Sequence, residues 1–167
     1  MTPNEYIDYL SHLPVNKMGK HVAPHKAVLL LTVFDLIKKG EIDSPFIPLT
    51  KSLEKAFELT WNDLVGSHSH FSCALNYPFQ HMSSSPFWTL VKLPSYEFKK
   101  EYSMLALKKN FAGAVINEDL FQLIKDDTSR AKMEQVLIQT YFSPNDSPRS
   151  TTSSVLSALA LLLLSVA

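Results

Sequence analysis

Pro24-His25-Lys26-Ala27-Val28-Leu29-Leu30-Leu31-Thr32-Val33-Phe34-Asp35-Leu36-Ile37-Lys38-Lys39-Gly40 is the stretch on which the fold turns. Proline suits the first turn of a helix, where its missing N–H has no partner to lose. Leu29, Leu30, Val33, Phe34 and Ile37 then form a broad apolar face at helical spacing. Lys38 and Lys39 fall in the last turn, where cations suit the negative end of the helix dipole. Gly40 supplies the stop. The pattern predicts a central, buried helix over 24–39.

On the N-terminal side, Tyr6, Tyr9, Leu10 and Leu13 recur at three- and four-residue steps and predict a short amphipathic helix over 3–13. A polar connector over 14–21 contains Gly19. On the other side, 42–49 is a short extended piece broken by Pro45 and Pro48. Thr50 caps a helix to about residue 65, with Leu53, Phe57, Trp61 and Leu64 on one face. A long loop from Gly66 carries His68, His70 and Tyr77-Pro78-Phe79. Strands over 87–93 and 112–116 bracket a helix over 103–109. Asn117 caps a helix over 118–125, and Thr128 or Ser129 opens a last helix to 142, with Met133, Val136, Leu137 and Tyr141 inward. The expected fold is a mainly helical α+β single domain with a small β-sheet, spanning 1–143.

Residues 144–167 read differently. A Ser/Thr/Pro-rich linker leads into an apolar tail of Leu, Ala, Val and Ser over 155–167, expected to lie outside the fold. Those thirteen residues fall short of the roughly 20 that span a bilayer as a helix. No membrane partner is therefore expected; a weak tail anchor, lengthened by the uncharged Ser and Thr upstream, is the alternative. The N-terminus has neither a basic start nor an apolar run, so no signal peptide is read there. The lone Cys73 excludes an intramolecular disulfide and a cysteine-rich zinc site, and the cytoplasm is the expected compartment.

Sixteen basic and sixteen acidic residues give a net charge of zero, which argues against a strongly basic, non-specific nucleic-acid binder. The charges are nonetheless unevenly spread. Lys17, Lys20, Lys26, Lys38 and Lys39 lie between 15 and 39 with only Asp35 against them, while Glu118, Asp119, Asp126, Asp127 and Glu134 lead between 117 and 134. Either one basic face or a mixed, solvated surface fits this pattern.

Two constellations carry chemistry. Ala23-Pro24-His25-Lys26 sets an imidazole and an ammonium at a helix start, where free N–H groups and the dipole favour a phosphate. The alternative is that His25 packs or caps and Lys26 is solvated. Asn76-Tyr77-Pro78-Phe79-Gln80-His81 offers a stiff, partly apolar ledge at Tyr77 and Pro78, with Phe87 and Trp88 beyond it read as core. His21, His25, His68, His70, Cys73 and His81 match no metal-ligand spacing, so no metal and no cofactor is expected. No nucleophile elbow, phosphate loop or dinucleotide fingerprint is present, and no catalytic residue is assigned.

In order and spacing these pieces resemble the DNA sulfur-binding domain that precedes the HNH nuclease domain of modification-dependent restriction endonucleases. The resemblance runs from about 16 to 142. It rests on Ala23-Pro24-His25-Lys26 with its Leu-rich helix, and on Leu49-Thr50 opening the helix that contains Trp61. Tyr77-Pro78-Phe79, Phe87-Trp88-Thr89-Leu90, Glu118-Asp119-Leu120-Phe121 and Gln139-Thr140-Tyr141-Phe142 complete it. It implies binding of double-stranded DNA in which sulfur replaces a non-bridging phosphate oxygen. It implies phosphate contact by His25 and Lys26, with Lys17 or Lys20 standing in for an upstream arginine. It also implies a sulfur pocket walled by Tyr77 and Pro78 and completed at His81, where characterised examples have a small apolar residue.

In that family the HNH domain does the cutting, through a His/Asn metal cluster. No histidine follows His81 in these 167 residues. The expectation is a recognition module of a restriction (defence) system that binds phosphorothioate DNA and does not cut it. The alternative is a regulatory or protein-interaction domain of the same fold that has lost DNA binding.

Overall fold

The computed structural model describes residues 1–98 and 102–142; the linker and apolar tail read over 144–167 lie outside the described residues. The fold class is as expected: mainly helical α+β with small antiparallel sheets. In chain order the elements are α1 (Pro3–Ser11), β1 (Lys17–Met18), β2 (His21–Val22), α2 (His25–Lys38), β3 (Phe46–Pro48), α3 (Lys51–Leu64), α4 (Asn76–His81), a 3-10 turn (Met82–Ser84), β4 (Trp88–Lys92), α5 (Met104–Asn110), β5 (Phe111–Ile116), α6 (Glu118–Lys125) and α7 (Asp127–Tyr141).

α2 is the hub. It packs against α3, α4, α6 and α7, and residues 26–34 are buried without a break. A helix that is apolar all round belongs in a core, and full burial of each Leu, Val or Phe side chain contributes about 1.5–3 kcal/mol. Thr32 is the polar exception; its hydroxyl donates to the Val28 carbonyl at 2.7 Å, one turn back. The helix stops where expected. Gly40 takes φ 74°, a left-handed conformation, and the Glu41 and Ile42 N–H groups fold back onto the Leu36 carbonyl.

α1 and α7 close over one side of this hub. Tyr141, the last residue of α7, donates its hydroxyl to the Leu10 carbonyl and accepts from the Leu13 N–H, both at 2.8 Å. The Tyr6 hydroxyl donates to Asp119 at 2.7 Å and accepts from Asn117, so Asn117 stands at the α6 N-cap without a side-chain cap bond. α7 starts earlier than the expected Thr128 or Ser129, because Asp126 caps it by accepting from the Ser129 N–H.

β5 is the central strand of an antiparallel sheet ordered β3-β5-β4. Gly113 allows the close pairing: a Cβ there would come within 2.2 Å of the Ile47 carbonyl oxygen and 2.9 Å of the Phe46 ring.

Two sequence readings need correction. The connector over 14–21 forms the start of a hairpin, β1 with β2, turned at Gly19 (φ 61°) and tied at its base by the Ala23 N–H to the Asn16 carbonyl. The long loop from Gly66 ends earlier than expected, because Tyr77 lies on α4. Pro78 occupies the first turn of α4, where an N–H would have no helical partner, so it does not disturb the helix.

Candidate nucleic-acid interface

His25 and Lys26 are consecutive, and a helix rotates about 100° per residue, so their side chains leave α2 in different directions. Pro24 forms the N-cap with no side-chain cap bond. His25 turns towards α3 and the loop after it. Its ring lies 4.7 Å from Trp61 and 5.8 Å from Phe71 between centroids, and Nε2 is 2.8 Å from the Ser72 carbonyl oxygen. A carbonyl only accepts, so Nε2 carries the proton and Nδ1 of the neutral ring is an acceptor. Burial holds the imidazole below its ordinary pKa, partly offset by that bond. In this state His25 ties the loop to α2. Direct donation to a phosphate requires a second proton at Nδ1.

Lys26 turns towards the start of the hairpin connection and α4. Only 8% of it is exposed, and its ammonium donates to the Pro14 carbonyl at 2.7 Å. It is neither the solvated lysine of the alternative reading nor a member of any ion pair found among the described residues. Burial lowers its pKa. One acceptor leaves two of its three N–H donors available.

Packing of α2 on α4 places His81 within the field of this ammonium. Desolvation first, and then Lys26, lower the His81 pKa. Tyr77, one turn earlier on α4, is 48% exposed, and its ring runs parallel to His81 within 7° at a centroid distance of 6.2 Å. Pro78, between them in the chain, is buried. Phe79 and Trp88 anchor the far side of α4: both are in the core, and the Trp88 indole N–H donates to the Phe79 carbonyl at 3.1 Å. The ledge is therefore rigidly mounted, with an aromatic face outward and a buried cation next to it.

A family model described as ScoMcrA-like, DNA sulfur-binding domain, matches residues 3–152. The chain belongs to the ScoMcrA-like DNA sulfur-binding domain family. No curated protein matches it in sequence. The match takes in all the elements described above and continues through 144–152, residues that composition assigns to a linker. DNA recognition is thus the role of the fold.

Within this sulfur-binding domain the basic stretch of the sequence is divided. Lys17 and Lys20 are exposed on the hairpin that feeds α2, close in the chain to Lys26. Lys38 and Lys39 stand at the opposite end of a 14-residue helix, about 20 Å away at 1.5 Å per residue. Lys39 is bonded to Asp35 at 2.6 Å. The acids of 117–134 are largely engaged in structure: Asp119 with Tyr6 and the N-terminal ammonium, Asp126 as a cap, and Asp127 and Glu134 around the buried Arg130.

The histidines do not gather into one site. The His21 ring lies tilted against His70 at 4.0 Å between centroids, while His25 packs on α3 and His81 sits on α4. Among the described residues, no three His, Cys, Asp or Glu converge as metal ligands, and no helix is long and apolar enough to cross a membrane.

Three participants escaped the sequence reading: the Pro14 carbonyl that holds Lys26, the Ser72 carbonyl that holds His25, and Tyr102. Backbone carbonyls carry no residue signature. Tyr102 sits in a segment with no period, so nothing marked it.

Proposed function

We propose that this domain grips double-stranded DNA by its backbone, with Lys26, Lys17 and Lys20 on phosphate oxygens and Tyr77, Pro78 and His81 walling the place of a phosphorothioate sulfur. The observation that carries the reading is Lys26. An ammonium held in the protein with only a neutral carbonyl partner is poorly compensated. An arriving phosphate meets it in a medium where charge attraction is far stronger than in water. His25 supports the site by fixing the loop against α2, and its direct contact with phosphate is the protonated case only.

Sulfur is larger, more polarizable and less tightly hydrated than oxygen, so it gains more by leaving water for an aromatic surface. Tyr77 supplies the exposed part of that surface, since Pro78 is buried. A soft sulfur–aromatic contact of about 1–2 kcal/mol corresponds to a roughly five- to thirty-fold preference for modified DNA. Within residues 1–167 the role we assign is recognition without cutting, since 82–167 contain no histidine for an HNH metal cluster. The setting we assign is a cytoplasmic restriction system.

The test compares phosphorothioate and unmodified duplexes of one sequence, at several salt concentrations, with and without magnesium. The native chain binds both with affinity falling steeply in salt, prefers the modified duplex, and cuts neither. Tyr77→Ala loses most of the preference and keeps most of the affinity for unmodified DNA. Salt-independent or absent binding overturns the proposal in favour of a regulatory domain, the reading that zero net charge supports.

A further inference from the structure

The exposed face of α4 carries a third ring. Tyr102 lies 5.6 Å from Tyr77 and 5.3 Å from His81 between centroids, with interplanar angles of 21° and 27°. Tyr77 and His81 are themselves parallel at 6.2 Å. Three nearly parallel rings whose centroids form a nearly equilateral triangle do not make one column. They make a tiled wall, with Tyr102 lying against both members of the α4 pair. These separations fall in the range of favourable offset stacking.

The placement of Tyr102 is built in. The Asn76 side chain, 9% exposed at the first position of α4, donates to the Tyr102 backbone carbonyl at 2.7 Å. That bond fixes the main chain of residue 102 to the same short helix that carries the other two rings. A buried amide spent on this contact is expensive to strand, so the arrangement is held from below as well as by ring contact.

We infer that Tyr102 is a positioning residue for His81, holding the imidazole parallel to Tyr77 so that it serves the site as aromatic surface and not as a free hydrogen-bonding arm. This rests on the proposed sulfur reading. It accounts for a histidine at the place where the resemblance leads one to expect a small apolar residue. The neutral ring fits the role: desolvation and the nearby Lys26 ammonium both oppose its protonation. An imidazole released from the stack would be free to turn an N–H or a charge towards the phosphate, which favours oxygen over sulfur.

The test uses the full chain and two variants, Tyr102→Ala and Tyr102→Phe. One readout is the affinity ratio between phosphorothioate and unmodified duplexes. The other is the proton resonance of the His81 imidazole C–H, assigned by its disappearance in His81→Gln and followed against pH without DNA. Tyr102→Ala is expected to lower the ratio at least threefold, to move the His81 resonance as the ring current is lost, and to raise its titration midpoint. Tyr102→Phe restores all three, since the ring and not the hydroxyl does the stacking. An unchanged ratio in Tyr102→Ala, when the native ratio exceeds one, overturns the inference. An unmoved His81 resonance overturns it on structural grounds. A native ratio of one overturns the sulfur reading together with this role, and the His81 resonance then tells whether the stack itself exists.

Discussion

His25 and Lys26 stand side by side in the sequence, and the structure gives them different surroundings. The His25 side of α2 is closed: Trp61 and Phe71 take the ring, and the Ser72 carbonyl takes its one N–H. The Lys26 side has donors left over, next to a face where Tyr77 and His81 meet solvent. The difference teaches that a short motif names an end of a helix but not a direction. One residue step around the helix separates a tether from the ammonium that the proposed function places on phosphate.

The comparison breaks most visibly at Lys26. Lys26→Met keeps an unbranched side chain, one atom shorter, and removes the charge. Affinity for both modified and unmodified DNA is expected to fall about ten- to hundredfold, the size of one charge-assisted hydrogen bond of about 1.5–3 kcal/mol. The salt slope should flatten by about one unit. Thermal stability should hardly move, because exchanging a buried ion for an apolar side chain of similar volume is often neutral. Titrations over salt, paired with a melting curve, check this. A variant that loses stability and keeps its affinity would turn Lys26 into a structural residue.

His25 should show the reverse. His25→Ala removes ring packing against Trp61 and a tether to Ser72, at about 1–3 kcal/mol of stability. DNA affinity well below the melting temperature should change less than threefold. A pH signature sharpens the assignment. Burial lowers the folded pKa of His25, so as pH falls below about 6.5 the unfolded chain takes up a proton that the folded chain refuses. The stabilisation is complete above that pH and drains away as pH falls towards the lowered folded value. Melting temperatures at pH 7.5 and 5.0 should therefore differ more in the native chain than in His25→Ala. The variant keeps a residual slope from His81, whose pKa is lowered too. Equal slopes would remove His25 from the buried, neutral state.

The smallest effects belong to Lys17 and Lys20, exposed on the hairpin. Each lysine-to-alanine change should weaken both duplexes by only a few-fold and lower the salt slope by about one unit. No change in slope from the double variant would confine phosphate contact to Lys26.

The fold was largely legible because its strongest elements carry their own period. The Leu-rich run of α2, the Leu53-Phe57-Trp61-Leu64 stripe of α3 and the Gly40 stop all follow from local rules that the core reinforces. α4 was not legible. Six residues give under two turns, and Tyr-Pro at its centre reads as loop unless the chain is known to turn there. The two-residue strands β1 and β2 fall below any periodic signal. At the candidate site the sequence names residue types and not their orientation. That Lys26 meets the Pro14 carbonyl, twelve residues back, depends on where α1 and α7 clasp the intervening chain. Tyr102 depends on a contact made by Asn76, twenty-six residues away.

The bond from Lys26 to Pro14 has one more consequence, which concerns entropy. A lysine side chain carries about 2 kcal/mol of rotamer freedom. Lys17 and Lys20, both exposed, still hold theirs in the free domain and, in the proposed function, would surrender part of it on closing on a phosphate. Lys26 gave up that freedom when the chain folded, because burial and the Pro14 carbonyl had already selected its conformer. Under the proposed function its contact with DNA would be drawn from a pre-set geometry, so the ordering cost falls on folding, once, and is not charged again at each encounter.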